Sequence, residues 1–198
     1  MKKYLISIVA LFILCFTTNV YSDCPDGFTS VTFTVYTPIS NCQYEVIYCY
    51  KCVMPAPQVG LIIDAFYKIN PNCTESLGTD DLINFLETYL YEHFFSWGVC
   101  RNVPPPCNGL NDYIVLIMTY SKCWNKENDN GTIIYHNCHS YDCCQETHWC
   151  YQDGNPIPIS VGIPYWCNQT ENCSGSEPPN PEPGYSTDCF PISTPCSQ

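Results

Sequence analysis

Seventeen cysteines in 198 residues constrain this chain more than any other feature. One of them, Cys15, lies in an N-terminal stretch with the parts of a secretory leader. Met1-Lys2-Lys3 is a basic start, Leu5 to Phe16 is an apolar run with Ser7 its one polar residue, and Val20 and Ser22 supply a cleavage signal. About 12 apolar residues span only ~18 Å as a helix, too little for a bilayer. Residues 1–22 are therefore expected to be a signal peptide, with Asp23 first in the mature chain and no membrane span after cleavage.

Cleavage leaves sixteen cysteines: Cys24, Cys42, Cys49, Cys52, Cys73, Cys100, Cys107, Cys123, Cys138, Cys143, Cys144, Cys150, Cys167, Cys173, Cys189 and Cys196. An even count in an exported chain permits complete pairing. At about 9% of the mature residues, this is the density of a disulfide scaffold. Each bridge contributes about 2–4 kcal/mol, which a reducing cytosol would forfeit. The expected location is secreted, either extracellular or periplasmic. Counting leaves the connectivity open, since sixteen cysteines allow about two million pairings.

Removing Lys2 and Lys3 takes the formal net charge from −12 to −14. The basic residues left are Lys51, Lys68, Arg101, Lys122 and Lys126. Such a surface repels phosphate backbones and anionic lipid, so nucleic acid and membranes are poor partners. Proteins, glycans and cations are compatible with it.

Period-two alternation is the main structural signal. Thr29 to Thr37 alternates, Pro38-Ile39-Ser40-Asn41 turns the chain, and Cys42 to Cys52 alternates again. Setting Thr37 against Cys42 brings Val35, Phe33 and Val31 opposite Tyr44, Val46 and Tyr48. A one-residue slip would turn that apolar set outward. Pro55-Ala56-Pro57 ends the second strand, and Val59 to Ile69 reads as a third. Thr79 is placed to cap a helix, with Asp80 and Asp81 at the positive end of its dipole. Leu82, Ile83, Leu86, Tyr89, Leu90 and Phe94 recur at helical spacing, with Asn84, Glu87, Thr88 and Tyr91 opposite. This predicts a helix over 80–96.

Arg101 to Pro106 is a rigid connector between Cys100 and Cys107. Tyr113 to Trp124, apolar on both parities from Ile114 to Met118, reads as a central strand. Asn125 to Gly131 reads as a polar turn from which Thr132 to Ser140 pairs back. Gln145 to Tyr151 and Ile157 to Val161 form a last hairpin. From Pro164 onward the composition is that of a loop, but four cysteines strap it down. The expected fold class is α+β: a mainly antiparallel β-sheet of hairpins with one amphipathic helix, disulfide-rich. The expected organisation is one domain over 23–163 and a tail over 164–198.

Cys49-Tyr50-Lys51-Cys52 has the spacing of a redox dithiol, but it ends a strand and no helix follows to lower a thiol pKa. Within a continuous strand the two lie ~10 Å apart, beyond the ~7 Å reach of a bridge, so different partners are expected. His136, Cys138, His139, Cys143, Cys144, His148 and Cys150 are dense in metal-ligating types. Oxidised cysteines cannot serve as thiolates, and in one continuous strand His136 and His139 would face opposite sides. No metal and no cofactor is therefore expected. Asn125 to Gly131 resembles a calcium loop with its glycine one place late and His136 where the bidentate glutamate belongs.

No catalytic, phosphate-binding or dinucleotide motif is present. Tyr36, Tyr50, Trp124, Trp149, Tyr165 and Trp166 exceed what a core of this size needs. They are candidates for an aromatic recognition surface.

The run Cys24-Pro25-Asp26-Gly27, the strand after it, and Cys42 to Cys52 are similar to the opening of uncharacterised exported cysteine-rich proteins of Bacteroidota and Ignavibacteria. The resemblance covers the first half and implies a bacterial exported domain with no assigned activity.

The reading is a secreted, non-catalytic binding or structural module with an unknown protein or glycan partner. The alternatives are a secreted hydrolase with an unidentified carboxylate site, and a His/Cys metal-binding protein.

Overall fold

The computed structural model describes residues 24–53, 58–98, 100, 104–108 and 112–197. The leader, Pro55-Ala56-Pro57 and the first half of the Arg101–Pro106 connector lie outside the described residues.

The first hairpin pairs β1 (Thr29–Tyr36) with β2 (Gln43–Val53). Val35, Phe33 and Val31 stand opposite Tyr44, Val46 and Tyr48, the register that buries the apolar set. β3 (Gln58–Lys68) pairs antiparallel along β2. On its other side β3 divides its partners. Gln58–Ile62 pair in parallel with β4 (Ile114–Ser121), and Ala65–Tyr67 pair with β6 (Thr132–Asn137). Two wings extend from this fork. One runs from β4 to β7 (Tyr141–Gln152), which carries β8 (Asn155–Val161) and β9 (Tyr165–Gln169) along its outer side. The other runs from β6 to β5 (Cys123–Asp129) and the short β10 (Phe190–Pro191). The result is a mixed, mostly antiparallel sheet of ten strands.

Helix α1 (Thr79–His93), continued by a 3₁₀ turn over Phe94–Trp97, packs on one face. Leu82, Ile83, Leu86, Leu90 and Phe94 meet Val46, Tyr48, Leu61, Ile63, Leu116 and Trp149 there. Full burial of each such side chain stabilises by about 1.5–3 kcal/mol. Among the described residues, the opposite face carries a small cluster of Ile47, Ala65 and Ile134.

The sixteen cysteines form eight bridges. Cys24–Cys49, Cys42–Cys73 and Cys52–Cys100 close the N-terminal part on itself. Cys107–Cys150, Cys123–Cys173, Cys138–Cys189, Cys143–Cys196 and Cys144–Cys167 close the remainder. None joins the two sets, so non-covalent contacts unite them: β3 pairing with β4 and β6, and α1 packing against Leu116 and Trp149. The segment after Pro164 contributes β9 and β10 to the sheet and is fastened at Cys167, Cys173, Cys189 and Cys196. Lys126 adds a further clamp: its buried Nζ pairs with Glu177 at 2.5 Å and donates to Pro178 O at 2.9 Å.

Several local expectations change. The helix N-cap is Gly78 rather than Thr79, whose hydroxyl donates to Glu177 instead. Glu87, expected on the solvent side, is buried, because α1 also faces β4 and β7. The same arc brings Tyr91 edge-on to Trp149 at 5.2 Å. Tyr113–Trp124 is broken after Ser121, and Asn125–Asp129 is strand rather than turn. The reversal is made by Asn130-Gly131 alone, with φ values of 52° and 97°, the left-handed pair that a two-residue hairpin turn demands.

Candidate functional site

Two features stand out once the sheet is assembled. The first is an apolar edge. Four of the eight exposed large hydrophobic side chains among the described residues fall within 159–165. They are Ile159 at 47%, Val161 at 58%, Ile163 at 88% and Tyr165 at 43% exposure. The stretch crosses from β8 to β9 at the outer side of β7. Ile159 is the extra residue of a bulge, since Ser160 pairs with His148 while Pro158 pairs with Trp149. Gly162 anchors the crossing: its N–H donates to Glu146 O at 2.7 Å, and Gln145 Nε2 donates to its carbonyl at 3.0 Å. A Cβ at Gly162 would stand 3.0 Å from Glu146 O, so the chain approaches too closely for a side chain. The Cys144–Cys167 bridge fixes β9 from below. Pro156 and Pro158 lack N–H groups and blunt β8 against addition of another strand. A partner here meets side chains.

The second is a cavity of about 610 Å³ on the sheet face turned away from the helix, at the fork of β3. Asp64 is the extra residue of a bulge in β3, between Ile63 opposite Tyr48 and Ala65 opposite Ile47. Its carboxylate is buried and accepts from His139 Nε2 at 2.8 Å. Cross-strand pairing sets Asn125 directly opposite His136 and Glu127 opposite Ile134, on one face of β5 and β6. His136 Nε2 stands 3.2 Å from Glu127 Oε2. Ser186 and Cys189 of the C-terminal segment close the far side.

Sequence reasoning separated His136 from His139 by assuming one unbroken strand. β6 instead ends at Asn137, and His139 takes a left-handed φ of 49°. Its N–H donates to Asn137 Oδ1 at 2.7 Å, and Asn168 Nδ2 donates to its carbonyl at 3.0 Å. The Cys138–Cys189 bridge holds the adjacent residue. Both imidazoles therefore line one cavity. Asp64 lies in no motif, whereas Asn125, Glu127 and His136 all fall in the calcium-loop-like run, the one sequence signal that groups them. His148 and His93 are elsewhere, stacked on Tyr113 and Tyr89 with ring centres 4.0 Å and 4.1 Å apart.

The aromatic candidates divide. Trp124 and Trp149 are core side chains, 0% and 3% exposed, which removes them from any recognition surface. Tyr50 is half-buried against Tyr48 and Phe94. Trp166 is half-buried beside Tyr141, with Lys122 Nζ 5.6 Å from its ring centre. Tyr36, 55% exposed, lies on the edge strand β1, at the other end of the sheet path from Tyr165.

No protein-family model, curated protein or solved structure matches this chain. The eight disulfides fit an oxidising setting, extracellular or periplasmic. No helix among the described residues is long and apolar enough to cross a membrane.

Proposed function

We propose that this chain is a secreted, non-catalytic binding module that docks a protein partner through the β8–β9 edge. The observation that carries the reading is the concentration of exposed Ile159, Val161, Ile163 and Tyr165 on a backbone pinned by Gly162 and Cys144–Cys167. An apolar patch on a disulfide-braced scaffold is pre-organised, so little side-chain or loop ordering opposes binding. Aliphatic side chains dominate it, and these favour an apolar protein surface over a sugar ring, which stacks on aromatic faces.

The test is site-specific photo-cross-linking of the mature protein mixed with secreted and surface proteins from its source. A cross-linker at position 163 is expected to give a discrete adduct that Val161→Asp abolishes, whereas one at Thr34, on the far edge strand, gives none. Equal labelling from both positions would refute the assignment. So would binding to a glycan array that Tyr165→Ala removes and Val161→Asp leaves intact.

A further inference from the structure

The cavity at the β3 fork concentrates unmet polar valence. Five buried side-chain nitrogen or oxygen atoms among the described residues have no hydrogen-bond partner. Three belong to its lining: Asn125 Oδ1, His136 Nε2 and His139 Nδ1. Native structures seldom leave such atoms without a water, an ion or a ligand. All three can present a lone pair. In the neutral ring of His139, Nε2–H donating to the Asp64 carboxylate leaves Nδ1 with the lone pair. A carboxylate bound to one imidazole nitrogen, leaving the other to serve as the ligand, is the arrangement that orients histidine ligands of metals. His136 Nε2 lies within ion-pair reach of Glu127 but makes no aligned hydrogen bond to it, so that nitrogen also stays uncommitted.

We propose that this cavity binds a divalent first-row transition ion. His136, His139, Glu127 and Asn125 supply the donors, and Asp64 positions His139. Two imidazoles with carboxylate and carbonyl oxygen suit zinc, copper or nickel; calcium and magnesium prefer oxygen alone. Cys138 and Cys189 line the same space but are bonded to each other and supply no thiolate. The donors are not preassembled. Among the described residues, the one trio of histidine, cysteine or acidic ligand atoms within 4.8 Å of one another is Cys24, Cys49 and Asp64, and its cysteines form a bridge. Side-chain movement toward the ion accompanies capture, and the chain's excess of acidic residues favours its approach.

Equilibrium dialysis of the intact, fully oxidised mature protein against zinc, read by elemental analysis, tests this. One bound zinc per chain is expected. His136→Ala and His139→Ala should each weaken binding at least ~10-fold, and Asp64→Asn by about 10–100-fold, the range for loss of a ligand-orienting group. His93→Ala and His148→Ala, removing stacked rings outside the cavity, should retain the wild-type affinity. Near-ultraviolet circular dichroism and unchanged thiol content identify folded variants. His136→Ala, at a half-exposed position, supplies a reading if Asp64→Asn fails to fold. Zinc at the level of the protein-free control, or binding that folded His136→Ala and His139→Ala leave unchanged, would overturn the proposal.

Discussion

Replacing both Cys52 and Cys100 by alanine should cost close to the full entropy of a disulfide loop, with little packing loss added. Cys52 is exposed and Cys100, 8% exposed, lies at the edge of the core cluster, so the substitutions remove little buried volume. Their bridge spans a sequence separation of 48 and ties the end of β2 to the residues after α1. The loop-closure relation gives about 4 kcal/mol for that span at 25 °C. The neighbouring Cys42–Cys73 bridge offers a shorter path through the unfolded chain, of roughly 38 residues, and the same relation still gives about 4 kcal/mol. For a domain of this size that corresponds to a fall in Tm of roughly 8–16 °C. The assay is urea unfolding and thermal denaturation without reductant, on protein whose other bridges are verified by peptide mapping. The denaturant slope should rise, because an unfolded state freed of one cross-link exposes more surface. A loss below about 1 kcal/mol with an unchanged slope would refute the reasoning, since the bridge would then not be limiting the unfolded ensemble.

Burial pushes the Glu87 carboxyl well above its ordinary value of 4.5, so the folded chain binds a proton that the unfolded chain releases. Its contribution is present below the unfolded value and is lost as pH rises through the folded one. Glu87→Gln should therefore flatten the decline of the urea midpoint as pH rises above the ordinary carboxyl value of 4.5, and an unchanged slope would count against burial of this carboxyl. Glu75 has the opposite sign. Burial raises its carboxyl, but hydrogen bonds from Ser40, the Leu77 N–H, Thr37 and the Ser76 N–H outweigh that and hold it below the usual range. Its stabilisation is present above the unfolded value and fades as pH falls through the folded one, so Glu75→Gln should lessen the loss of stability on acidification. Gly162→Ala places a Cβ 3.0 Å from a backbone carbonyl and should cost about 1–3 kcal/mol while displacing Ile163. Retention of both the wild-type Tm and the adduct at position 163 would show that the edge does not depend on this close approach.

The strands were legible where one face alone is buried. In β1 and β2 alternation and register agree residue for residue, because a slip would expose Phe33, Val46 and Tyr48 together. Glu87 failed for the complementary reason: helical periodicity locates one apolar stripe, and α1 touches two regions of the sheet. The turn at Asn130-Gly131 was drawn too wide because Asn125 to Asp129 are polar, yet polar residues are expected on a strand that lies under a strapped segment. Lys126 and Asn128 point there and hydrogen-bond Pro178 and Pro181. That cover is supplied by residues more than fifty positions later, and composition in a local window carries no trace of it.

The cavity illustrates the same limit of local pattern. Asp64 in a β-rich run reads as an ordinary strand polar residue. It becomes a buried partner for His139 only because β3 bulges at the point where β4 gives way to β6. A bulge turns one side chain out of the alternating series, and divergence of the two partner strands opens space beside it. His139 reaches that space only because its backbone turns left-handed after β6. Bringing His136 and His139 together thus requires the end of one strand, the bulge of another and the tie from Cys138 to Cys189. The histidines were noticeable as a local cluster, but their carboxylate partners lie on other strands. It is the long-range pairing that turns a run of ligating residue types into a site with the chemistry to hold an ion.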